Sequence, residues 1–141
     1  MILLDTNVVS EVMKAAPDET VGGWFAQQPE ANVFVCAITE AELRGGVAIM
    51  PKGRRRDALT GLVEGVLGED FADRNHPFDS PAAKAFAEIV ADRRRAGRPI
   101  SMPDAQIAAI AKSRGAALAT RNVRDFEGCG VEVINPWESQ R

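Results

Sequence analysis

Apolar positions along this chain fall into short unbroken runs that alternate with longer, helically spaced ones. Ile2, Leu3 and Leu4 form a triplet that stops at Asp5. A run this short reads as a buried strand rather than a helix core. Asp5-Thr6-Asn7 then supplies cap-type residues before Val8, Val9, Val12 and Met13, which recur at helical spacing. Thr20 is expected to cap a second helix carrying Val21, Trp24 and Phe25 and ended by Pro29. Val33-Phe34-Val35-Cys36-Ala37-Ile38 is the clearest strand, and its continuous apolarity predicts cover on both faces.

Thr39-Glu40-Ala41-Glu42 matches a capping box at the head of a helix that carries Leu43 and Val47. Leu59, Leu62, Val63, Val66 and Leu67 mark one face of an amphipathic helix, with Gly68 at its end. Residues 69–79 are polar, with room for one short strand near Phe78. Ser80-Pro81 opens a helix whose Ala82, Phe86, Ile89 and Val90 face inward and whose last turn holds Arg93-Arg94-Arg95. Ser101-Met102-Pro103-Asp104 opens another, ended by Gly115, and strands follow at Ala116 to Ala119 and Val131 to Ile134. Strands alternating with helices or helix pairs predict a parallel α/β sandwich. With no repeat, low-complexity tract or linker, one domain over residues 1–141 is expected.

Composition narrows the chemistry. Apolar residues make up 45% and charged residues 26% of the chain, which excludes disordered and fibrous classes. The single histidine, His76, excludes a His-rich metal site. Cys36 and Cys129 cannot build a four-cysteine zinc site, make no CxxC pair, and demand no oxidising compartment. There is no secretory leader pattern and no apolar stretch near the ~18 residues of a membrane span, so a cytoplasmic protein with no membrane partner is expected. The net charge of −3 argues against broad coating of nucleic acid.

Ligands of open α/β sheets bind outside the carboxyl ends of the strands. Asp5 ends the first strand, Glu42 lies just beyond the second, and Asp104 lies in the first turn of the helix before the fourth. Thr120-Arg121-Asn122-Val123-Arg124-Asp125 directly follows that fourth strand. Singly, each acid has an ordinary reading. Glu42 fits a capping-box partner of Thr39, Asp104 complements a helix dipole, and Asp125 suits a solvated turn. Asp5 is harder to account for, because an unpaired carboxylate after a buried strand is very unfavourable. Converging carboxylates raise one another's pKa, and a divalent cation removes that conflict. Oxygen donors without His or Cys select Mg²⁺ or Mn²⁺.

Four segments carry a resemblance. Leu3-Leu4-Asp5-Thr6-Asn7, Ala37-Ile38-Thr39-Glu40-Ala41-Glu42-Leu43-Arg44-Gly45-Gly46, Pro103-Asp104-Ala105-Gln106-Ile107-Ala108-Ala109 and Ala119-Thr120-Arg121-Asn122 together resemble the PIN-domain ribonucleases. The branch most resembled is the VapC/FitB-type toxins of bacterial toxin–antitoxin pairs, and Asn135-Pro136-Trp137 is similar to its ending. The resemblance implies a three-layer α/β/α sandwich with a five-stranded parallel sheet. It also implies a Mg²⁺- or Mn²⁺-dependent endoribonuclease. Asp5, Glu42 and Asp104 match the family's metal-site acids, with Thr6, Asn7 and Thr120 as polar support. Its fourth acid falls where Asn122 stands, a departure. Asp125 can replace it if residues 122–125 make a helical turn, which puts i and i+3 on one face. If neither ligates, three acids hold one metal.

The resemblance further implies an RNA substrate, a homodimer, a cognate VapB-type antitoxin, and a larger toxin–antitoxin assembly that binds operator DNA through the antitoxin. Arg44, Arg121 and Arg124 are candidate RNA contacts, since the guanidinium fork suits phosphate. The runs at 54–56 and 93–95 read equally as solvated or helix-terminal charge. No exposed aromatic platform is evident, so base stacking is expected to be thin. Asn122 in place of an acid keeps a second reading open, a catalytically weak PIN-like module that binds RNA or a partner.

Overall fold

Ile2, Leu3 and Leu4 form β1 (Ile2–Leu4), buried along its whole length. Full burial of such side chains stabilises by about 1.5–3 kcal/mol each. The computed structural model describes residues 1–138, so the last three residues of the expected domain lie outside the described residues. After β1 come α1 (Thr6–Val12), α2 (Glu19–Gln27), β2 (Val33–Cys36), α3 (Ala37–Ala48), α4 (Arg54–Val63) and β3 (Asn75–His76). The chain continues through α5 (Ser80–Arg95), α6 (Met102–Arg114), β4 (Ala117–Ala119) and β5 (Val133–Ile134). Short 3₁₀ turns span Glu30–Asn32 and Val123–Phe126, and a π-helical stretch, Glu64–Asp70, extends α4.

The five strands are all parallel, in the order β3-β2-β1-β4-β5. β1 is central, with Ile2 opposite both Val33 and Ala117. Alternation along the strands divides the core between the two faces. Leu3 and Leu118 pack with Ala82, Ile89, Ile107 and Ile110 of α5 and α6. Ile2, Leu4, Val33 and Val35 pack with Val8, Val9, Trp24 and Val63 on the other face. The result is the expected α/β/α layering. The order reverses between β1 and β4, which makes the crevice beyond their carboxyl ends the switch point where ligands bind in such sheets.

Several boundaries differ from those read from the residues. β2 stops at Cys36, and Ala37 and Ile38 open α3 instead of continuing the strand. An apolar pair looks the same at a strand end and in a buried first helical turn. Thr39 consequently sits inside the helix, and no side chain caps its start, so the capping box does not form. α2 is capped by Asp18, whose Oδ1 accepts from the backbone of Thr20 and Val21, rather than by Thr20. A carboxylate also complements the positive end of a helix. Gly68 lies within the π-helical stretch rather than at a helix end, and Leu62, expected to face inward, is 46% exposed. β3 falls two residues before Phe78. The predicted ends of α5 and α6 hold: Asp79 and Ser101 cap their starts, and Gly115 closes α6 in the left-handed region at φ 66°.

Candidate active site

Asp5 leaves the central strand at its carboxyl end and caps α1. It is 4% exposed, and three neighbours donate to its carboxylate. Oδ1 accepts from the Thr6 backbone at 2.8 Å. Oδ2 accepts from Thr120 Oγ1 at 2.7 Å and from the Asn7 amide at 3.2 Å. Burial nevertheless pushes the Asp5 pKa up, the hydrogen bonds from Thr120 and Thr6 oppose that, and the charges of Asp104 and Glu42 add to it.

Glu42 projects from α3 and accepts from Thr6 Oγ1 at 2.7 Å. The partner that the capping box would have given it, the Thr39 backbone, lies inside the helix. Thr39 Oγ1 is fully buried, 3.2 Å from Thr6 Oγ1 and 3.8 Å from Cys36 Sγ. It ties the ends of β1 and β2 together. Asp104 sits in the first turn of α6, where its backbone donates to Ser101 Oγ at 3.3 Å. Its pKa is also raised, first by burial, then by the charges of Asp125 and Glu42.

The polar segment after β4 forms the helical turn on which a role for Asp125 depends. Val123–Phe126 is 3₁₀, and Asp125 N donates to Asn122 O at 3.0 Å. That turn places Asp125 close enough to Asp104 for its charge to add to the upward shift of the Asp104 pKa. Asn122 N donates to Thr120 Oγ1 at 3.1 Å, so the hydroxyl that braces Asp5 also starts the turn. Arg121 N donates to Asn7 Oδ1 at 3.2 Å. The structure therefore brings Asp5, Glu42, Asp104 and Asp125 to one end of the sheet, with Thr6, Asn7, Thr120 and Asn122 around them.

The candidate RNA contacts separate. Arg44 is bonded to Glu40 at 2.8 Å and also to Glu64, so its charge is already compensated. Arg121 and Arg124 flank the acids and are exposed. Arg54 to Arg56 begin α4, after α3 has carried the chain ~18 Å from the strand end. Arg93 differs most from a phosphate contact. It is 6% exposed, and its guanidinium donates to the carbonyls of Arg98 (2.7 Å), Asp125 (2.7 Å) and Glu127 (3.0 Å). It anchors the segment that presents Asp125. The signal for this was in the spacing, because Arg93 continues the buried stripe of Ala82, Ala85 and Ile89 on α5.

Among the described residues, no three His, Cys, Asp or Glu side chains are already drawn into a metal-binding cluster. The donor set is nevertheless one that a hydrated hard cation suits. Mg²⁺ needs only one or two direct carboxylates and keeps its remaining waters. Burial chiefly raises the Asp5 and Asp104 pKa values and neighbouring carboxylates add to it, and a bound cation would offset both effects.

Residues 2–128 match the model of the PIN domain family. The chain is similar to VapC ribonuclease Y4jK of Sinorhizobium fredii, 43% identical over 138 residues, which covers 98% of this chain and 99% of that one. It is similar to toxin FitB of Neisseria gonorrhoeae, 40% identical over 137 residues, covering 97% and 99%. In space it resembles a chain from the structure of FitAB bound to an IR36 DNA fragment, with a TM-score of 0.92 and 38% identity over 100% of this chain and 99% of that chain. No described helix is long and apolar enough to cross a membrane. A likeness that runs the length of the sequence and persists at that score in space is not confined to a motif: the chain belongs to the PIN-domain family, in the branch of the VapC and FitB toxins.

Proposed function

We propose that this protein is a Mg²⁺- or Mn²⁺-dependent endoribonuclease acting as the toxin of a toxin–antitoxin pair. One observation carries the reading. Asp5, Glu42, Asp104 and Asp125, from four separate segments, lie at the end of the sheet that holds its switch point, and among the described residues no cationic side chain is bonded to Asp5 or Asp104. Asp5, Glu42 and Asp104 would hold the metal, with Asp125 as the fourth acid beside Asp104. When bound, such an ion supplies an activated water and offsets charge on the leaving oxygen.

The chain's own residues do the rest. Thr120, Asn7 and the Thr6 backbone fix the plane of the Asp5 carboxylate, and the Thr6 hydroxyl aims Glu42. Arg93 holds the Asp125 segment against α5. Arg121 and Arg124 take RNA phosphates beside the acids, where single-stranded or looped RNA can reach them. The partners follow from relatives studied as complexes. FitAB was solved on a DNA fragment. The corresponding reading here is a homodimer held by a cognate VapB-type antitoxin, in a cytoplasmic assembly that binds operator DNA through the antitoxin.

The test is cleavage of RNA by the purified protein with Mg²⁺, with Mn²⁺ and with EDTA. Cleavage is expected with either metal and lost with EDTA and in Asp5→Ala. Cleavage that persists in EDTA or in Asp5→Ala refutes the reading. Asn122 in the fourth-acid position favours one alternative, a non-cleaving module that binds RNA or a partner. A wild type that neither cleaves RNA nor gains thermal stability from Mn²⁺ would establish that alternative.

A further inference from the structure

The arginines near the acids differ in what already holds them. Arg44 is bonded to Glu40 and Glu64, Arg98 to Glu127, and Arg93 to backbone carbonyls. Arg121 is held differently. Among the described residues its guanidinium has no carboxylate partner, and it lies over the indole of Trp137, 5.0 Å from the ring centroid. Its main chain is fixed as well. Arg121 N donates to Asn7 Oδ1, and the Asn7 amide donates to Asp5 Oδ2. One end of this arginine is therefore tied to the residue that braces the central acid, and the other rests on an aromatic face.

Trp137 is itself well placed. It follows β5, which runs parallel to β1 and β4, so it lies toward the same carboxyl end of the sheet as the acids. Its backbone N donates to Asn135 Oδ1 at 3.0 Å, and its ring packs against the core that holds Ile2 and Leu4. The indole is thus anchored below while its face carries the guanidinium.

We propose that Arg121 and Trp137 form a phosphate clamp for single-stranded RNA at the rim of the acidic cleft, with Trp137 as the positioning residue. The proposal rests on the nuclease reading above. An acidic cleft repels a polyanion, so a cation beside it gains most when it is ordered before RNA arrives. Contact with an indole face limits the rotamers of a long side chain, and the N–H fork of a guanidinium suits two phosphate oxygens. Lysine has neither the plane nor the fork.

The experiment uses an end-labelled, mixed-sequence single-stranded RNA. Binding is followed by anisotropy in EDTA across a KCl series, and kcat and KM for cleavage are measured in Mg²⁺. Arg121→Ala should make the slope of log Kd against log [KCl] shallower by about 0.7, the loss of one phosphate contact on a single strand. Trp137→Leu should weaken binding about two- to fivefold, as loss of a cation–π contact implies. It should raise KM while leaving kcat near wild type, and Trp137→Phe should recover most of the loss. In an Arg121→Ala background, Trp137→Leu should cost nothing more. An unchanged salt slope in Arg121→Ala overturns the clamp, as does an equal penalty from Trp137→Leu with and without Arg121. A wild type that binds with the expected slope, loses it in Arg121→Ala, and never cleaves RNA supports the clamp and refutes the nuclease reading.

Discussion

Replacing Arg93 with methionine tests how the fourth acid is held. Methionine fills the space of the arginine stem but offers no donor to the carbonyls of Arg98, Asp125 and Glu127. A hydrogen bond from a charged donor contributes ~1.5–3 kcal/mol, so three would give roughly 4.5–9 kcal/mol. Two effects reduce that sum. Residues 98, 125 and 127 are exposed, so their carbonyls can regain water. The variant also avoids desolvating a guanidinium. The net loss should be about 3 kcal/mol, the cost of leaving one to three carbonyl acceptors short of a donor. For a chain of this size that lowers Tm by about 10 °C. Urea unfolding should show a lower midpoint with an unchanged m value. Well below the new Tm, the folded variant should still lose RNA cleavage, because the Asp125 segment is no longer pinned. Arg93→Lys, with one point charge, should fall between. A variant within ~1 kcal/mol of wild type, or fully active when folded, would refute this role for Arg93.

Other outcomes follow from the same geometry. Mn²⁺ at a hundred times its Kd should stabilise the wild type by about 2.7 kcal/mol, and Asp5→Asn should abolish that response in a thermal melt. The pH dependence has a defined sign. A raised folded-state pKa means that the folded protein binds the proton more tightly, so Asp5 and Asp104 cost stability above their folded pKa values. In EDTA, Asp5→Asn should therefore be more stable than wild type at neutral pH, and the gap should close as the pH falls toward 3.8, the ordinary aspartate value. Urea titrations across that range measure it, and a gap that widens on acidification contradicts the assignment. Thr120→Val removes the hydroxyl that stabilises ionised Asp5, so the acid limb of the pH–rate profile should move to higher pH. Gly115→Ala should lower stability by about 1–2 kcal/mol through backbone strain alone, since a Cβ there meets nothing within 4 Å.

The elements that the residues revealed are those whose local chemistry has one solution. Ile2 to Leu4 can only be a buried strand, Pro81 and Pro103 suit first helical turns, and Gly115 supplies a left-handed cap. That Asp5, Glu42, Asp104 and Asp125 lie at one end of the sheet was legible for a related reason, since polar residues at strand ends have few places to go in a parallel sheet. What remained hidden depended on partners distant in sequence. The end of β2 was obscured because Ala37 and Ile38 suit strand and helix alike. Thr39 resembled a cap because its contact with Thr6 spans 33 residues. Nothing in an Arg-Arg-Arg run marks the first as buried except its phase on the apolar stripe of α5. The Arg121–Trp137 stack was equally invisible, since it joins two loops after different strands.

The placement of β1 in the middle of the sheet has a consequence for synthesis. Asp5 leaves the ribosome well before its brace, Thr120, which lies 115 residues downstream. β1 also awaits β4, through the bond from Asp5 N to Ala119 O. Chains grow from the N-terminus. A nascent chain therefore carries Asp5 without a site to put it in until the Thr120–Asp125 segment, more than a hundred residues later, has been made. Prematurely terminated products lack the Thr120–Asp125 segment and should be inert. A single proteolytic cut that separates the Thr120–Asp125 segment from Asp5 should likewise abolish the site.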